Sequence, residues 1–149
     1  MINKRYLTWQ EVEILVGNIV NDLRDDQAAF DEMLVVARGG LVPAGLISKR
    51  LDIRNIITAS VLFYSNSTDS HAFLQFPEEA CISGRKILIV DDVISTGESL
   101  HAMEELVKRA GGIIAGKMAV LAEGDAKDRD DIITLAPLPL FNADGTVKA

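Results

Sequence analysis

The thirteen residues from Ile87 to Ser99 constrain the fold of this chain more than any other stretch. They read Ile-Leu-Ile-Val-Asp-Asp-Val-Ile-Ser-Thr-Gly-Glu-Ser. Four consecutive branched apolar residues suit a central parallel strand covered on both faces. In open sheets of that kind, ligands collect beyond the carboxyl ends of the strands. Asp91 and Asp92, which end the apolar run, are therefore expected at a ligand edge.

The residues after the acids supply the opposite chemistry. Ser95, Thr96, Gly97 and Ser99 are small, so backbone N–H groups can approach an anion closely. A helix beginning near Gly97 adds unsatisfied donors and a positive dipole end. A ligand that carries ribose hydroxyls, a phosphate and Mg²⁺ would satisfy both halves. A hydrophobic strand ending in Asp-Asp also occurs in Walker B strands and phospho-acceptor sites. The Gly-x-x-x-x-Gly-Lys-Ser/Thr partner of the former is absent, and so is a Gly-x-Gly-x-x-Gly fingerprint.

The run resembles the 5-phosphoribosyl pyrophosphate (PRPP) motif of the type I phosphoribosyltransferases: four hydrophobic residues, two acids, two apolar residues, then a Ser/Thr-rich loop with Gly. The resemblance implies that Asp91 and Asp92 contact the ribose 2- and 3-hydroxyls and, as the catalytic residues, stabilise positive charge developing on the ribose. Ser95, Thr96, Gly97, Glu98 and Ser99 would hold the 5-phosphate. Mg²⁺ would be bound mainly through PRPP, with Asp91 and Asp92 as further contacts.

A second segment has the same logic. Met33 to Ala37 is a short apolar strand, followed by Arg38-Gly39-Gly40-Leu41-Val42-Pro43 and a helix-like run to Leu51. Pro43 fits the first turn of that helix, where a missing N–H is tolerated. Read alone, this is a Gly-rich strand-to-helix turn. In the resembling family, the loop at this place binds pyrophosphate and often contains a non-proline cis peptide, which assigns that role to Arg38 and Gly39.

Composition bounds the rest. A chain of 149 residues is expected to form one domain spanning residues 1–149, large enough to bury a core. A lone Cys81 makes no internal disulfide, and no signal-peptide pattern opens the chain, so the expected compartment is the reducing cytoplasm. The apolar runs fall short of the roughly 18 residues that span a bilayer. A net charge of −7 with mixed signs argues against a nucleic-acid surface.

Helix and strand patterns alternate. Thr8-Trp9-Gln10-Glu11 has the form of a capping box, and Val12, Leu15, Val16, Ile19, Val20 and Leu23 keep helical spacing to about Arg24. Strands are predicted at Met33–Ala37, Asn55–Leu62, Lys86–Asp91 and Ile113–Leu121, with a weaker one at Asp131–Leu135. Helices are predicted at Pro43–Leu51 and Gly97–Ala110; Leu100, Met103, Val107 and Ala110 form the inner stripe of the latter, and Gly111-Gly112 stops it. The expected fold is α/β, with a central, mostly parallel twisted sheet flanked by helices, as in type I phosphoribosyltransferases.

Two segments fit no regular element. Ser65 to Gly84 is either a flexible hood over the site, as the resemblance implies, or a β-hairpin serving a subunit contact. The C-terminal stretch after Glu123 is where such enzymes build a nucleobase pocket. Ile94, Glu123, Leu140 and Phe141 are the candidate base contacts.

The implied reaction is transfer of the phosphoribosyl group from PRPP to a nucleobase, a purine first of all, with release of pyrophosphate in nucleotide salvage. Tyr6 to Pro43 looks most like the bacterial xanthine-guanine and hypoxanthine enzymes. Yet 6-oxopurine enzymes usually carry Asp where this chain has Ser95, and Lys where it has Glu123. A Glu there suits an amino group, as on adenine, so the two purine classes stay open. Orotate enzymes share the Ser-rich loop but usually have a basic hood, whereas no Lys or Arg lies between Ser65 and Ser83. The alternative is a non-catalytic PRPP-binding regulator of the same fold, which normally brings a DNA-binding domain or a basic RNA-binding face. A homodimer is the family habit.

Overall fold

The computed structural model describes residues 8–25, 29–63, 71–139 and 147. Helix α1 (Trp9–Asp25) starts where the capping box predicts. Thr8 Oγ1 accepts from the Glu11 N–H at 3.2 Å, and Glu11 Oε2 accepts from the Thr8 N–H at 2.7 Å. Its apolar stripe, Val16, Ile19, Val20 and Leu23, is buried.

Strand β1 (Glu32–Val36) leads through a turn into α2 (Leu41–Leu51), in which Pro43 is the third residue. Strand β2 (Ile56–Phe63) follows, then β3 (His71–Gln75), β4 (Lys86–Ile94), α3 (Glu98–Arg109), β5 (Ile113–Glu123) and β6 (Ile133–Leu138). The strands form one sheet in the order β3-β2-β1-β4-β5-β6. All neighbouring pairs are parallel except β2 with β3.

Period-two alternation divides the strands between two cores. Met33, Val35, Leu88 and Val90 face α1 and α2, with Ile19, Ala44 and Ile47. Leu34, Val36, Ile87 and Ile89 face α3, with Leu100, Met103, Val107 and Ala110, the stripe predicted from its spacing. This double burial is why β1 and β4 read as unbroken apolar runs. Gly111, at φ 72°, takes the left-handed conformation just past α3 and ends it as expected.

Several elements differ from their predicted bounds. β4 continues beyond Asp91 to Ile94 because β5 still pairs with it there, Val93 with Leu121 and Ile94 with Ala122. The weak C-terminal strand is shifted to Ile133–Leu138, in register with Met118–Glu123 of β5. Part of the Ser65–Gly84 segment is regular: β3 pairs antiparallel with β2, Val61 opposite Phe73 and Phe63 opposite His71. Residues 64–70 lie outside the described residues. No helix among the described residues is long and apolar enough to cross a membrane.

Candidate active site at the sheet switch point

From β1 the chain moves outward to β2, and from β4 it moves the other way to β5, so β1 and β4 are neighbours whose following loops diverge. A crevice opens at such a switch point, beyond the carboxyl ends of both strands. The two segments singled out in the sequence, Arg38–Gly39 and Asp91–Ser99, are the loops or strand ends that border it.

Pairing of β4 with β1 stops at Val90, opposite Val35, whereas pairing with β5 continues. Asp91 and Asp92 therefore lie on a one-sided extension of β4, next to the turn that follows β1. Alternation along the strand starts the two side chains on opposite sides, yet their carboxyl groups lie within hydrogen-bond reach of each other. Asp92 is half-buried and lies against Gly39: a Cβ on Gly39 would overlap its carboxylate. Asp91 takes the α3 side and is 5% exposed. Asp92 thus lies half-buried beside the turn, while Asp91 is buried and lines the cleft that follows β4.

The environment separates their chemistry. Burial pushes the Asp91 carboxyl up to about 7, with the Asp92 carboxyl adding to the rise. The Asp92 N–H, which donates to Asp91 Oδ1 at 2.8 Å, works in the opposite direction. Between an unfolded value near 3.9 and about 7, the folded chain keeps a proton that the unfolded chain has lost. Stability from this group is therefore complete below pH ~4 and falls as pH rises through that window, by about 1.4 kcal/mol per unit. Asp91→Asn removes the ionisation. In the absence of substrate and divalent cation, urea unfolding should show Asp91→Asn gaining stability over the parent at pH 8, with the gain vanishing at pH 4. An equal difference at both pH values would contradict the burial account.

The turn after β1 is built around close approaches. A cis peptide joins Ala37 to Arg38. The Gly40 N–H donates to the Val36 carbonyl at 3.0 Å, and the Leu41 N–H to the Arg38 carbonyl at 3.2 Å. A Cβ on Gly40 would stand 2.8 Å from the carbonyl oxygens of both Val36 and Val90. Gly40, to which the sequence analysis assigns no role, thus lets the turn cross β4 at Val90, where its pairing with β1 ends. Arg38 is exposed at the head of this turn.

Beyond β4, the loop folds over a cleft of about 140 Å³ lined by Asp91, Ile94 and all five residues from Ser95 to Ser99. Gly97 has φ 83°, a left-handed conformation that favours glycine, and its carbonyl accepts the His101 N–H at 2.8 Å. The preceding amides of α3 are the orphan donors of a helix start. Thr96 Oγ1 accepts from the Glu98 N–H at 3.4 Å and orders the turn into the helix. Glu98 is exposed, so its side chain sits at the rim.

The candidate base contacts are spread out. Ile94 is 2% exposed, lines the cleft and belongs to the α3-side core. Glu123 is half-buried at the last position of β5, opposite Leu138, and does not line the cleft. Leu140 and Phe141 lie outside the described residues. Arg129, which the sequence reading passed over, contributes to a second cavity of about 380 Å³ that adjoins the first through Thr96, Gly97 and Glu98.

Residues 3–136 match the phosphoribosyl transferase domain family. Over 87 residues the chain is 37% identical to a xanthine-guanine phosphoribosyltransferase of Cereibacter sphaeroides; the match takes in 57% of this chain and 52% of that relative, so it spans about half the relative's length. The fold superposes on a purine phosphoribosyltransferase of Pyrococcus horikoshii with a TM-score of 0.76 at 25% identity, covering 92% of this chain and 89% of that one. It also superposes on the xanthine-guanine-hypoxanthine phosphoribosyltransferase of Helicobacter pylori, with a TM-score of 0.75 at 17% identity over 89% and 86% of the two chains.

Proposed function

Because the chain belongs to the phosphoribosyl transferase domain family, we propose that it transfers the 5-phosphoribosyl group of PRPP to a purine base and releases pyrophosphate, as a salvage enzyme. The observation that carries this reading is the meeting of the Gly39 turn with the Asp92 carboxylate beside the Ser95–Ser99 cleft. A hydroxyl-bearing sugar between a phosphate at one end and a pyrophosphate at the other matches that order of groups.

In this reading the amides and hydroxyls of Ser95 to Ser99 hold the 5-phosphate, and Asp91 and Asp92 accept hydrogen bonds from the ribose hydroxyls. Arg38 and the backbone at Gly39 receive the pyrophosphate. A ring nitrogen of the base bonds to C1 of the ribose as the bond from C1 to the pyrophosphate oxygen breaks; that electron pair leaves with pyrophosphate, and the proton of the base's imidazole N–H passes to solvent. Positive charge grows on the ribose in between. The protein's contribution is alignment of the reactants and carboxylates of opposite sign nearby.

The donor set suits Mg²⁺. No cluster of three or more His, Cys, Asp or Glu side chains able to hold a metal occurs among the described residues. The Asp pair offers one or two hard oxygen donors, the number Mg²⁺ takes when substrate phosphates and water complete its shell. When bound there, Mg²⁺ would supply charge neutralisation for the departing pyrophosphate. Glu123, at the end of β5, is the residue we assign to the exocyclic group of the base, with Ile94, Leu140 and Phe141 as apolar contacts. A cytoplasmic homodimer completes the proposal. No observation favours the non-catalytic regulator.

Pyrophosphate release, measured with PRPP, Mg²⁺ and a panel of adenine, hypoxanthine, guanine, xanthine, orotate and uracil, tests the reading. Release on a purine supports it, and release on none of the six overturns it. The phosphate cradle has its own test. Thr96→Val removes a hydroxyl that orders the loop and donates to the anion, a loss of about 1.5–3 kcal/mol for a bond to a charged group, or roughly tenfold to a hundredfold in PRPP affinity. Unchanged affinity in the variant would remove Thr96 from the cradle.

A further inference from the structure

Arg129 is held in an unusual way for a half-buried arginine on a loop. Its Nε donates to Asp131 Oδ1 at 2.8 Å and its Nη2 to Asp131 Oδ2 at 2.7 Å, the two-bond fork that guanidinium and carboxylate form best. Asp131 is fixed in turn by Lys117 Nζ at 2.7 Å, and the same ammonium reaches Glu104 of α3 at 2.9 Å. One chain of charged bonds thus ties β5, the loop before β6 and α3 together.

The fork leaves Nη1, and Nη1 is aimed at the phosphate loop. It stands 2.7 Å from the place a Cβ would take on Gly97, and the guanidinium carbon is 3.9 Å from it. Arg129 does not line the Ser95–Ser99 cleft; it approaches Gly97 from the adjoining cavity. The Nη1 end of the guanidinium therefore abuts the one left-handed residue of the loop, with its orientation set by Asp131.

We infer that Arg129, clamped by Asp131, is a positioning residue of the phosphate loop: it holds Gly97 and the following amides in the arrangement that receives the 5-phosphate. The inference deepens the phosphoribosyl-transfer reading and rests on it for the identity of the anion. A fixed guanidinium also accounts for glycine at position 97, since any side chain there would displace it. Lysine is no substitute, because a single ammonium cannot hold both Asp131 oxygens and still face Gly97.

The test uses Arg129→Met, Arg129→Lys and Asp131→Asn. Hydrogen exchange of the free protein reads the loop directly: amides of residues 96–99 should exchange faster in all three variants, with β1 and α2 unchanged. The PRPP dissociation constant should rise by about tenfold in Arg129→Met, the scale for losing a charged donor's support. The effect should fall on the PRPP KM rather than on the base KM or kcat. Arg129→Lys should resemble Arg129→Met; full recovery by Lys would show that charge alone matters and overturn the inference. Unchanged loop exchange in Arg129→Met and Asp131→Asn would overturn it as well. If the parent protein fails to bind PRPP, the functional reading falls, while the exchange data still decide the role of Arg129 in the loop.

Discussion

Asp91→Asn combined with Asp92→Asn should lower PRPP-dependent pyrophosphate release by at least about 100-fold to 1,000-fold, the loss seen when preorganised groups facing developing charge are removed. The chain should fold as the parent does. Asp91 is buried and carries a raised carboxyl, so its neutral isostere suits the site at least as well as the acid. Asp92 is half-buried with its carboxylate against the Gly39 turn, where an amide occupies the same volume. Steady-state assay and circular dichroism on the same preparation separate catalysis from folding. A parental rate in the folded double variant would contradict the assignment of the acids.

Gly39→Ala should be nearly as damaging by a different route. The new Cβ would overlap the Asp92 carboxylate, so either the turn or the acid must move. Misplacing a positioned group by about 1 Å costs on the order of 100-fold in rate. Gly40→Ala provides the contrast. Its Cβ would stand 2.8 Å from two backbone carbonyls, Val36 O and Val90 O, which belong to the paired ends of β1 and β4. Those atoms cannot turn aside as a side chain does. Gly40→Ala should therefore show its effect in urea unfolding, by roughly 1–3 kcal/mol as for other overpacked sites. Gly39→Ala should show its effect in kinetics, with a near-parental unfolding midpoint. A parental kcat and PRPP KM in Gly39→Ala would place the turn away from the reacting groups.

What the sequence made legible was local. The capping box at Thr8 to Glu11, the inner stripe of α3 and the apolar runs of β1 and β4 each depend on residues a few positions apart, and each is found where its spacing puts it. The pairing of the Arg38–Gly39 turn with the acids came through resemblance to a family, and adjacency of β1 and β4 realises it. Features set by distant partners escaped. β4 runs on to Ile94 only because β5 continues beside it, and that extension carries Asp91 and Asp92 past the last residue paired with β1. The order of β3 depends on its register with β2. Arg129 sits in the charge-rich stretch from Asp125 to Asp131, to which the sequence analysis assigns only the start of a weak strand, and acquires its place only when Asp131 is drawn to Lys117.

A parallel sheet suits the proposed chemistry for a geometric reason. Two loops that leave neighbouring strands in opposite directions leave room between them for a ligand with a charge at each end. Here one loop begins with Arg38 and Gly39 and the other with a small-residue turn into a helix, so both ends offer donors while the acids stand between. Gly39, Gly40 and Gly97 are the positions where that geometry leaves no space for a side chain.

Calorimetric titration of the purified protein with PRPP in the presence of Mg²⁺, run in parallel on the Asp91→Asn, Asp92→Asn double variant, tests the central claim most directly. The account predicts saturable binding near one PRPP per chain in the parent and strongly weakened binding in the variant. Absence of binding in the parent, or identical isotherms for the two proteins, would contradict the placement of PRPP at the switch point between β1 and β4.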